Sequence, residues 1–247
     1  MAIEISVIIP AYNEESSIQN CISTVLHAME VRKLDSEVIV VDDGSRDRTL
    51  EIIRSMAQTD NRLKPLTNGQ NRGKGYTVKH GVLESSGDLV LFTDVDLSTP
   101  IDEVDTLRKA IDSGYDIAFG SRALAQSQLK IQQPWYRVLL GRLANKAIQL
   151  LVPALRGIKD TQCGFKLFTG SAARMIFPLQ QNERWGFDFE ILHIARKLGF
   201  TVAEIPVEWS HSGDSRIKMS DYPKTLIELF KVRLNESRGV YTPKTDK

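Results

Sequence analysis

The chain has 247 residues, of which 42% are hydrophobic and 26% are charged, a composition typical of a soluble globular protein. This length suits one large domain or two closely joined lobes. Because the formal net charge is only +1, no overall positive field marks the chain as a nucleic-acid-binding protein, and any basic site must be local.

The N-terminus, the longest apolar stretch and the cysteines indicate where in the cell the protein is expected. The apolar run at the N-terminus stops at Pro10 and has no basic region before it, so it does not predict a signal peptide. Polar residues interrupt the longest apolar stretch, Val138–Leu155, so no membrane-spanning helix is predicted. Cys21 and Cys163 form no metal-binding spacing, and reduced thiols are favoured over a disulfide. We expect a cytoplasmic protein that touches a membrane only peripherally.

Strands and helices alternate along the first half of the chain. Short apolar runs predict strands at Glu4–Pro10, Ser36–Ser45 (with a turn at its end), Arg62–Leu66, Asp88–Asp96 and Asp116–Arg122. Apolar residues at helical spacing predict helices at Glu15–Val31, Asp47–Met56 and Ile101–Ser113, and another after the glycine-containing loop NRGKG. This alternation indicates an α/β fold with a mostly parallel sheet and right-handed crossovers.

The second half has a different pattern. Ile131–Arg156 is predicted as one long helical stretch in which aromatic residues and leucines mix with basic residues. The segment DTQCGFKLF follows, and ERWGFDFEILHIARKLGF is predicted as a turn that enters a helix. TVAEIPVEWSHSGDSRI is predicted as a strand with a polar loop after it, and Ser220–Leu234 as an amphipathic helix before a loose tail.

Polar residues follow three of the predicted strands. PAYNEE comes after the first strand, DDGS after the second, and DVDLSTP after the fourth. In open parallel sheets, ligands bind beyond the carboxyl ends of the strands. We therefore expect these three segments to converge on one crevice.

Asp94 and Asp96 stand one residue apart at the end of the fourth predicted strand. Residues i and i+2 of an extended segment face the same side, so both carboxylates can point at one spot. Such a pair suits Mg²⁺, which takes one or two protein carboxylates and completes its shell with water and phosphate oxygens, and Mn²⁺ fits the same ligands. Taken alone, the pair equally fits a turn capped by aspartates.

Five segments, taken in order, resemble glycosyltransferase family 2, whose members are inverting nucleotide-sugar transferases of the GT-A fold: VIIPAYNEE, VVDDGSRDRT, NRGKGYTVKHG, FTDVDLSTP and GSR. Three later segments are similar to the dolichyl-phosphate and polyprenyl-phosphate sugar synthases of that family, the glucosyltransferases first and the mannosyltransferases next: DTQCGFKLF, RWGFDFEIL and IPVEWSHSGDSRI. The resemblance implies a Rossmann-like single domain with a nucleotide-sugar and metal-binding lobe at 1–122, an acceptor-binding lobe at 123–219, and a C-terminal amphipathic helix and tail at 220–247.

The resemblance also assigns a donor site. It implies that one segment holds the base and ribose of the nucleotide, namely Pro10, Ala11, Tyr12, Asn13 and Glu14. Asp42 and Asp43 are expected near the uracil or ribose, and Lys74 beside the nucleotide. Each of these residues also fits a structural role, such as shaping a turn, favouring a helix N-terminus or accepting backbone N–H groups.

The metal site follows from the same resemblance. Asp94 and Asp96 are expected to meet ribose, metal and diphosphate. Ser98 stands where some mannosyl relatives carry a glutamine that ligates the metal, so it is the candidate third ligand. The implied cofactor is Mg²⁺ or Mn²⁺.

Cationic residues in the second half are candidates for the acceptor site. Arginine suits phosphate because its planar fork donates two parallel hydrogen bonds. The residues expected to bind an acceptor phosphate are Arg122, Arg137, Arg216 and Lys218. The resemblance adds Asp160, as a residue that assists or orients the acceptor, so the expected catalytic residues are Asp96, Asp160, Arg122 and Arg216. Arg137 and Lys218 equally fit solvated surfaces, and Asp160 fits a cap.

The expected reaction is metal-dependent transfer of glucose from UDP-glucose to dolichyl or polyprenyl phosphate. Three alternatives stay open: GDP-mannose as the donor, a soluble or polysaccharide acceptor, and a nucleotide-sugar-binding protein without catalysis. Trp135 and Tyr136 beside Arg137, together with the terminal helix, form an interfacial pattern that indicates a peripheral membrane contact. Both segments equally fit helices that are docked on the sheet.

Overall fold

The structure is a computed structural model that describes residues 3–131, 141, 145–210 and 221–242. The strands among these residues are β1 (Ile5–Ala11), β2 (Ser36–Asp42), β3 (Leu63–Thr67), β4 (Leu89–Thr93), β5 (Ile117–Ser121), β6 (Gln128–Ile131), β7 (Phe165–Thr169), β8 (Val202–Pro206) and β9 (Glu208–Ser210). Seven strands form the central sheet, in the order β3-β2-β1-β4-β7-β5-β8, and β6 pairs with β9 in a small parallel sheet.

Helices connect most of these strands. In the described ranges they are α1 (Ile18–Val31), α2 (Thr49–Ala57), α3 (Lys74–Leu83), α4 (Val104–Asp112), α5 (Gly170–Ile176), α6 (Phe187–Lys197) and α7 (Asp221–Ser237). Residues 145–151 are also helical, and short 3-10 turns lie at Ile101–Glu103, Pro153–Leu155 and Phe177–Leu179. No helix described here combines the length and the apolar content that crossing a membrane requires.

The sheet is mostly parallel, which confirms the predicted fold class. β1 lies between β2 and β4 and runs parallel to both, so the ends of these three strands meet at one edge. β7 runs antiparallel to both of its neighbours, β4 and β5. The sequence pattern did not predict this inserted strand.

Helices cover both faces of the sheet, and strands buried on both faces carry continuous apolar runs. The outward side chains of β1 alternate: Val7 packs in the core beneath α1, α2 and α4, whereas Ile8 packs beneath α3, α5, α6 and α7. Cys21 and Cys163 are free and buried in the first of these cores. The alternation explains why the apolar runs of the sequence located these strands, although the fourth strand ends at Thr93 and not at Asp96, because the chain turns at Asp94–Leu97.

The prediction of one helix at Ile131–Arg156 was wrong at both ends. Ile131 is the last residue of β6, and the described helical segment 145–151 ends before Pro153. Proline has no backbone N–H to continue an α-helix, and here it opens a 3-10 turn. The division into lobes stays a prediction, although β7 and β8 of the second range lie in the central sheet.

Candidate active site

The segments that follow β1 and β2 are bonded to each other. The Asn13 N–H donates to the Ser45 hydroxyl at 2.9 Å, and Asn13 Oδ1 accepts the Arg46 N–H at 2.8 Å. The Glu14 N–H donates to the Thr49 hydroxyl at 2.7 Å. Asn13 adopts a φ of 51°, a left-handed conformation that asparagine tolerates better than most residues. The predicted nucleotide segment thus has a fixed shape, with Asn13 exposed, Tyr12 half-buried and Pro10 and Ala11 closing β1.

Asp42 and Asp43 are buried, and backbone N–H groups surround them. Asp42 accepts the N–H groups of Gly44 at 3.1 Å and Ser45 at 3.2 Å. Asp43 accepts three donors from the loop before α3, which are the Asn68 amide and the N–H groups of Arg72 and Gly73, at 2.8, 2.8 and 2.9 Å. Both carboxylates therefore shape the edge of the crevice. Contact with a nucleotide stays a prediction for them.

Lys74, the first residue of α3, lies against the first of the paired carboxylates. Its Nζ is 2.5 Å from Asp94 Oδ1. Burial lowers the pKa of Lys74, but Asp94, Asp188 and Asp96 raise it by more, so the net direction is upward. Lys74 is accordingly a fixed positive charge at neutral pH. It also lies 5.9 Å from the centre of the Trp185 ring.

The second carboxylate, Asp96, is exposed in a tight turn. Ser98 donates to it twice, from its hydroxyl at 2.8 Å and from its N–H at 3.0 Å. Leu97 between them has a φ of 45°, which is strained for a leucine, and such strain concentrates at functional sites. Ser98 thus holds Asp96 in place in this structure. Its role as a metal ligand stays a prediction.

The segment 160–164 links the donor and acceptor candidates. At one end, a Cβ built on Gly164 would lie 2.1 Å from Asp94 Oδ2, so only glycine allows this close approach. At the other end, Asp160 binds the Arg122 fork, with Nε at 2.6 Å and Nη2 at 2.8 Å. The two predicted clusters therefore contact opposite ends of one five-residue segment.

The Arg122–Asp160 pair is a bidentate ion pair. Burial raises the pKa of Asp160, but the Arg122 guanidinium lowers it by more, so the pKa of this carboxyl group lies below its usual value. Asp160 is therefore ionised at neutral pH. Asp160 also accepts the Arg122 N–H at 3.0 Å, and the guanidinium lies 5.5 Å from the centre of the Trp209 ring. Asp160 thus orients Arg122. Phosphate binding by Arg122 stays a prediction.

Two functional candidates were missed by the sequence reasoning. Lys166 in β7 and Asp188 in α6 form a fully buried ion pair, and Lys166 Nζ also donates to the Cys163 carbonyl at 2.7 Å. Asp188 in turn raises the pKa of Lys74 and that of Arg122. A signal was present in the sequence, because GFKLF places one charge and FDFEIL places two charges inside an apolar run.

The donor set fits a hard divalent cation. Asp94 is partly exposed and Asp96 is exposed. Both carboxylates raise the pKa of Lys74, so both act electrostatically on the same ammonium group. In the described ranges, no cluster of three or more His, Cys, Asp or Glu side chains is placed to hold a metal. Mg²⁺ and Mn²⁺ commonly take one or two protein carboxylates in nucleotide sites and complete their shell with diphosphate oxygens and water.

The other acceptor candidates lie outside the described residues. These are Arg137, Arg216 and Lys218, together with the aromatic pair Trp135 and Tyr136. Their predicted contacts with phosphate or with a membrane stay predictions.

Comparison with known proteins gives one family. The family described as Glycosyl transferase family 2 matches residues 6–168. A dolichyl-phosphate beta-glucosyltransferase of Trichomonas vaginalis is 39% identical and aligns with 96% of this chain and 73% of its own length. The dolichyl-phosphate beta-glucosyltransferase of Homo sapiens is 35% identical, over 87% of this chain and 69% of its own.

Solved structures confirm the fold. A crystal structure of glucosyl-3-phosphoglycerate synthase from Mycobacterium tuberculosis, in complex with Mn²⁺, UDP and glucosyl-3-phosphoglycerate, superposes with a TM-score of 0.70. It is 20% identical and covers 93% of this chain and 79% of its own. The expected GT-A architecture is thus confirmed, and the family match spans most of the central sheet. The chain belongs to glycosyl transferase family 2.

Proposed function

We propose that this chain is an inverting glycosyltransferase that transfers glucose from UDP-glucose to dolichyl or polyprenyl phosphate, with Mg²⁺ or Mn²⁺ as its cofactor. The observation that best supports the proposal is the segment 160–164, in which Gly164 lies against Asp94 and Asp160 binds Arg122. The two relatives above, both dolichyl-phosphate beta-glucosyltransferases by name, support the choice of sugar and acceptor.

On the donor side, Asp94 and Asp96 would hold the metal ion, which when bound neutralises the charge of the departing diphosphate. Lys74 adds a fixed positive charge beside them, in a partly buried place where electrostatic stabilisation is stronger than in water. The bonded segments after β1 and β2 would hold the base and ribose. The crystal structure with the same fold that contains UDP and Mn²⁺ supports a nucleotide and a divalent metal as the ligands of this proposal.

On the acceptor side, the attacking group is an oxygen of the lipid phosphate. The second pKa of a phosphate monoester is about 6, so the group is largely dianionic at neutral pH and needs no strong base. The oxygen forms a bond to the anomeric carbon as the bond to UDP breaks on the opposite face, which inverts the configuration. Arg122, oriented by Asp160, would hold the phosphate in line for this attack.

The location follows from the acceptor. A lipid phosphate is reached at a membrane surface, whereas a nucleotide sugar is dissolved in water. The proposal therefore includes a peripheral contact of the protein with the cytoplasmic face of a membrane.

The experiment uses the full chain with radiolabelled UDP-glucose, Mg²⁺ and a polyprenyl phosphate. The expected result is label in the chloroform-soluble product, with a β-anomeric signal by NMR. Asp96→Ala should abolish the transfer, and Asp112→Ala, a change at an exposed aspartate of α4, should leave it unchanged. Parallel reactions with GDP-mannose test the alternative donor. Label from GDP-mannose alone, or transfer only to soluble acceptors, would contradict the proposal.

A further inference from the structure

Helix α7 has an apolar face on each side. Its inner face carries Leu229 and Val232, which are buried in the core. Its outer face carries Leu226, Ile227, Phe230 and Leu234, which are 44%, 57%, 58% and 46% exposed. Leu226, Phe230 and Leu234 follow each other at intervals of four residues, so they form one continuous stripe.

The charges of α7 are segregated between the two faces. At 3.6 residues per turn, the basic residues of the helix flank the outer stripe, with Arg233 on one side and Lys224 and Lys231 on the other. The described acidic residues of the helix lie on the inner side. Glu228 accepts the Gly186 N–H at 2.7 Å, and Glu236 binds His193 at 3.0 Å and Lys197 at 2.8 Å.

We propose that this outer face of α7, the apolar stripe with its three flanking basic residues, docks on an anionic lipid surface. An exposed apolar stripe rimmed by lysine and arginine is complementary to the acyl and headgroup boundary of such a membrane. A second copy of the chain is disfavoured as the occupant, because facing stripes would bring like basic flanks together. The choice of a lipid surface rests on the proposed function, which it deepens.

The inner side of α7 is tied to the candidate active site. Gly186, which Glu228 holds, follows Trp185, and the Trp185 carbonyl accepts the Gln162 amide at 3.2 Å. Gln162 belongs to the segment 160–164, between Asp160 and Gly164. Helix α7 is therefore linked through Gly186 and Trp185 to the segment that contains Asp160, where the proposed function places the lipid phosphate.

The test measures vesicle flotation of the full chain without nucleotide sugar or polyprenyl phosphate. Phosphatidylcholine vesicles with and without phosphatidylserine are compared, and wild type should bind the anionic vesicles far better. Leu226→Ser with Phe230→Ser should lower the bound-to-free ratio by roughly tenfold or more, since burial of each side chain is lost. The matched control is Val31→Ser with Leu83→Ser, which changes two side chains that are 64% and 49% exposed on other helices.

A second pair of variants tests the basic flanks. Lys224→Gln with Lys231→Gln should weaken binding to the anionic vesicles by roughly tenfold, and Lys109→Gln on α4 should not. Thermal unfolding verifies that each variant is folded.

The following outcomes would overturn the inference: no binding of wild type to anionic vesicles, equal binding to neutral vesicles, or serine variants that bind like wild type. Sedimentation that shows a dimer, dissociated by the serine variants without any change in vesicle binding, would instead assign the face to a second copy. A chain that binds vesicles through this face but transfers no sugar would refute the proposed function alone.

Discussion

Lys74 Nζ and Asp94 Oδ1 are 2.5 Å apart, so the first residue of α3 is ion-paired with the carboxylate that follows β4. The loop before α3 is held in turn by Asp43, which accepts the Gly73 N–H at 2.9 Å. Lys74 is thereby held by Asp94, which follows β4, and its loop by Asp43, which follows β2. These two strands are the neighbours of β1. The ammonium group of Lys74 and the carboxylate of Asp94 are thus held side by side.

Replacing Lys74 should impair the donor side. We expect Lys74→Met to lower kcat/KM for UDP-glucose by roughly a hundredfold, because a preorganised charge beside the departing diphosphate is lost. Steady-state kinetics and calorimetric titration of UDP with Mn²⁺ measure the effect. Lys79→Met is the control, since Lys79 also lies on α3 but donates to the carbonyls of Pro178 and Gln180. Activity of Lys74→Met within twofold of wild type would remove this lysine from the mechanism.

A methyl group at position 164 should displace the metal-site carboxylate. In Gly164→Ala the new Cβ meets Asp94 Oδ2 at 2.1 Å, a distance that forces one of the two groups to move. We expect Mn²⁺-dependent UDP binding and turnover to fall by roughly a hundredfold while the chain still folds. Gly141→Ala, where no residue that the structure describes lies within 4 Å of the added Cβ, should behave as wild type. Unchanged turnover in Gly164→Ala would show that Asp94 need not hold its observed position.

The buried pair of Lys166 and Asp188 should govern stability. We expect Asp188→Asn to lower the free energy of unfolding by about 3 kcal/mol, because it leaves a buried ammonium without its counter-ion. Lys166→Met combined with Asp188→Leu should recover much of that loss, since neither charge is then buried alone. Urea denaturation measures both, with Asp112→Asn at an exposed site as the control. A double variant less stable than Asp188→Asn would contradict this account.

Stability should depend on pH through His193. Burial lowers its pKa below the ordinary 6.5, and the bond to Glu236 offsets this only in part. The other groups that face it are Lys197, Arg233 and Tyr241. Because the unfolded chain binds the proton first, stability is present above pH 6.5 and is lost as the pH falls through the lower folded pKa.

His193→Gln isolates this contribution. The measurement is urea denaturation of wild type and variant between roughly pH 8 and pH 5, a range that includes the ordinary histidine pKa of about 6.5. The free energy of unfolding of wild type should fall relative to that of the variant as the pH decreases. Parallel curves for the two proteins would mean that His193 titrates alike in both states.

The convergence of the strand ends could be predicted because it needs only local information. Apolar runs locate strands, and parallel strands joined by helices end at the same edge. The bonds from Asn13 to Ser45 and Arg46 realise this expectation in detail. The roles of Asp42 and Asp43 could not be separated in this way, because a carboxylate that binds a turn and one that binds a ribose look alike in a sequence.

Long-range contacts escaped prediction for a different reason. The pattern of apolar and polar residues in β7 does not specify the direction of the strand or its neighbours. Its antiparallel position between β4 and β5 could therefore not be deduced from the sequence. The pairing of Lys166 with Asp188 depends on that placement. Charges inside GFKLF and FDFEIL indicated buried partners, but nothing in the sequence identified which residues would pair.

The position of β7 between β4 and β5 determines when the central sheet can be completed during translation. β5 pairs only with β7 and β8 among the described strands, and both leave the ribosome after it. A nascent chain that has emerged as far as Arg122 holds β5 without either neighbour and β4 with one edge open. Until residue 169 has emerged, the ladder β3-β2-β1-β4 is not joined to β5, so chaperone protection of the open edges of β4 and β5 would matter most during that interval of translation.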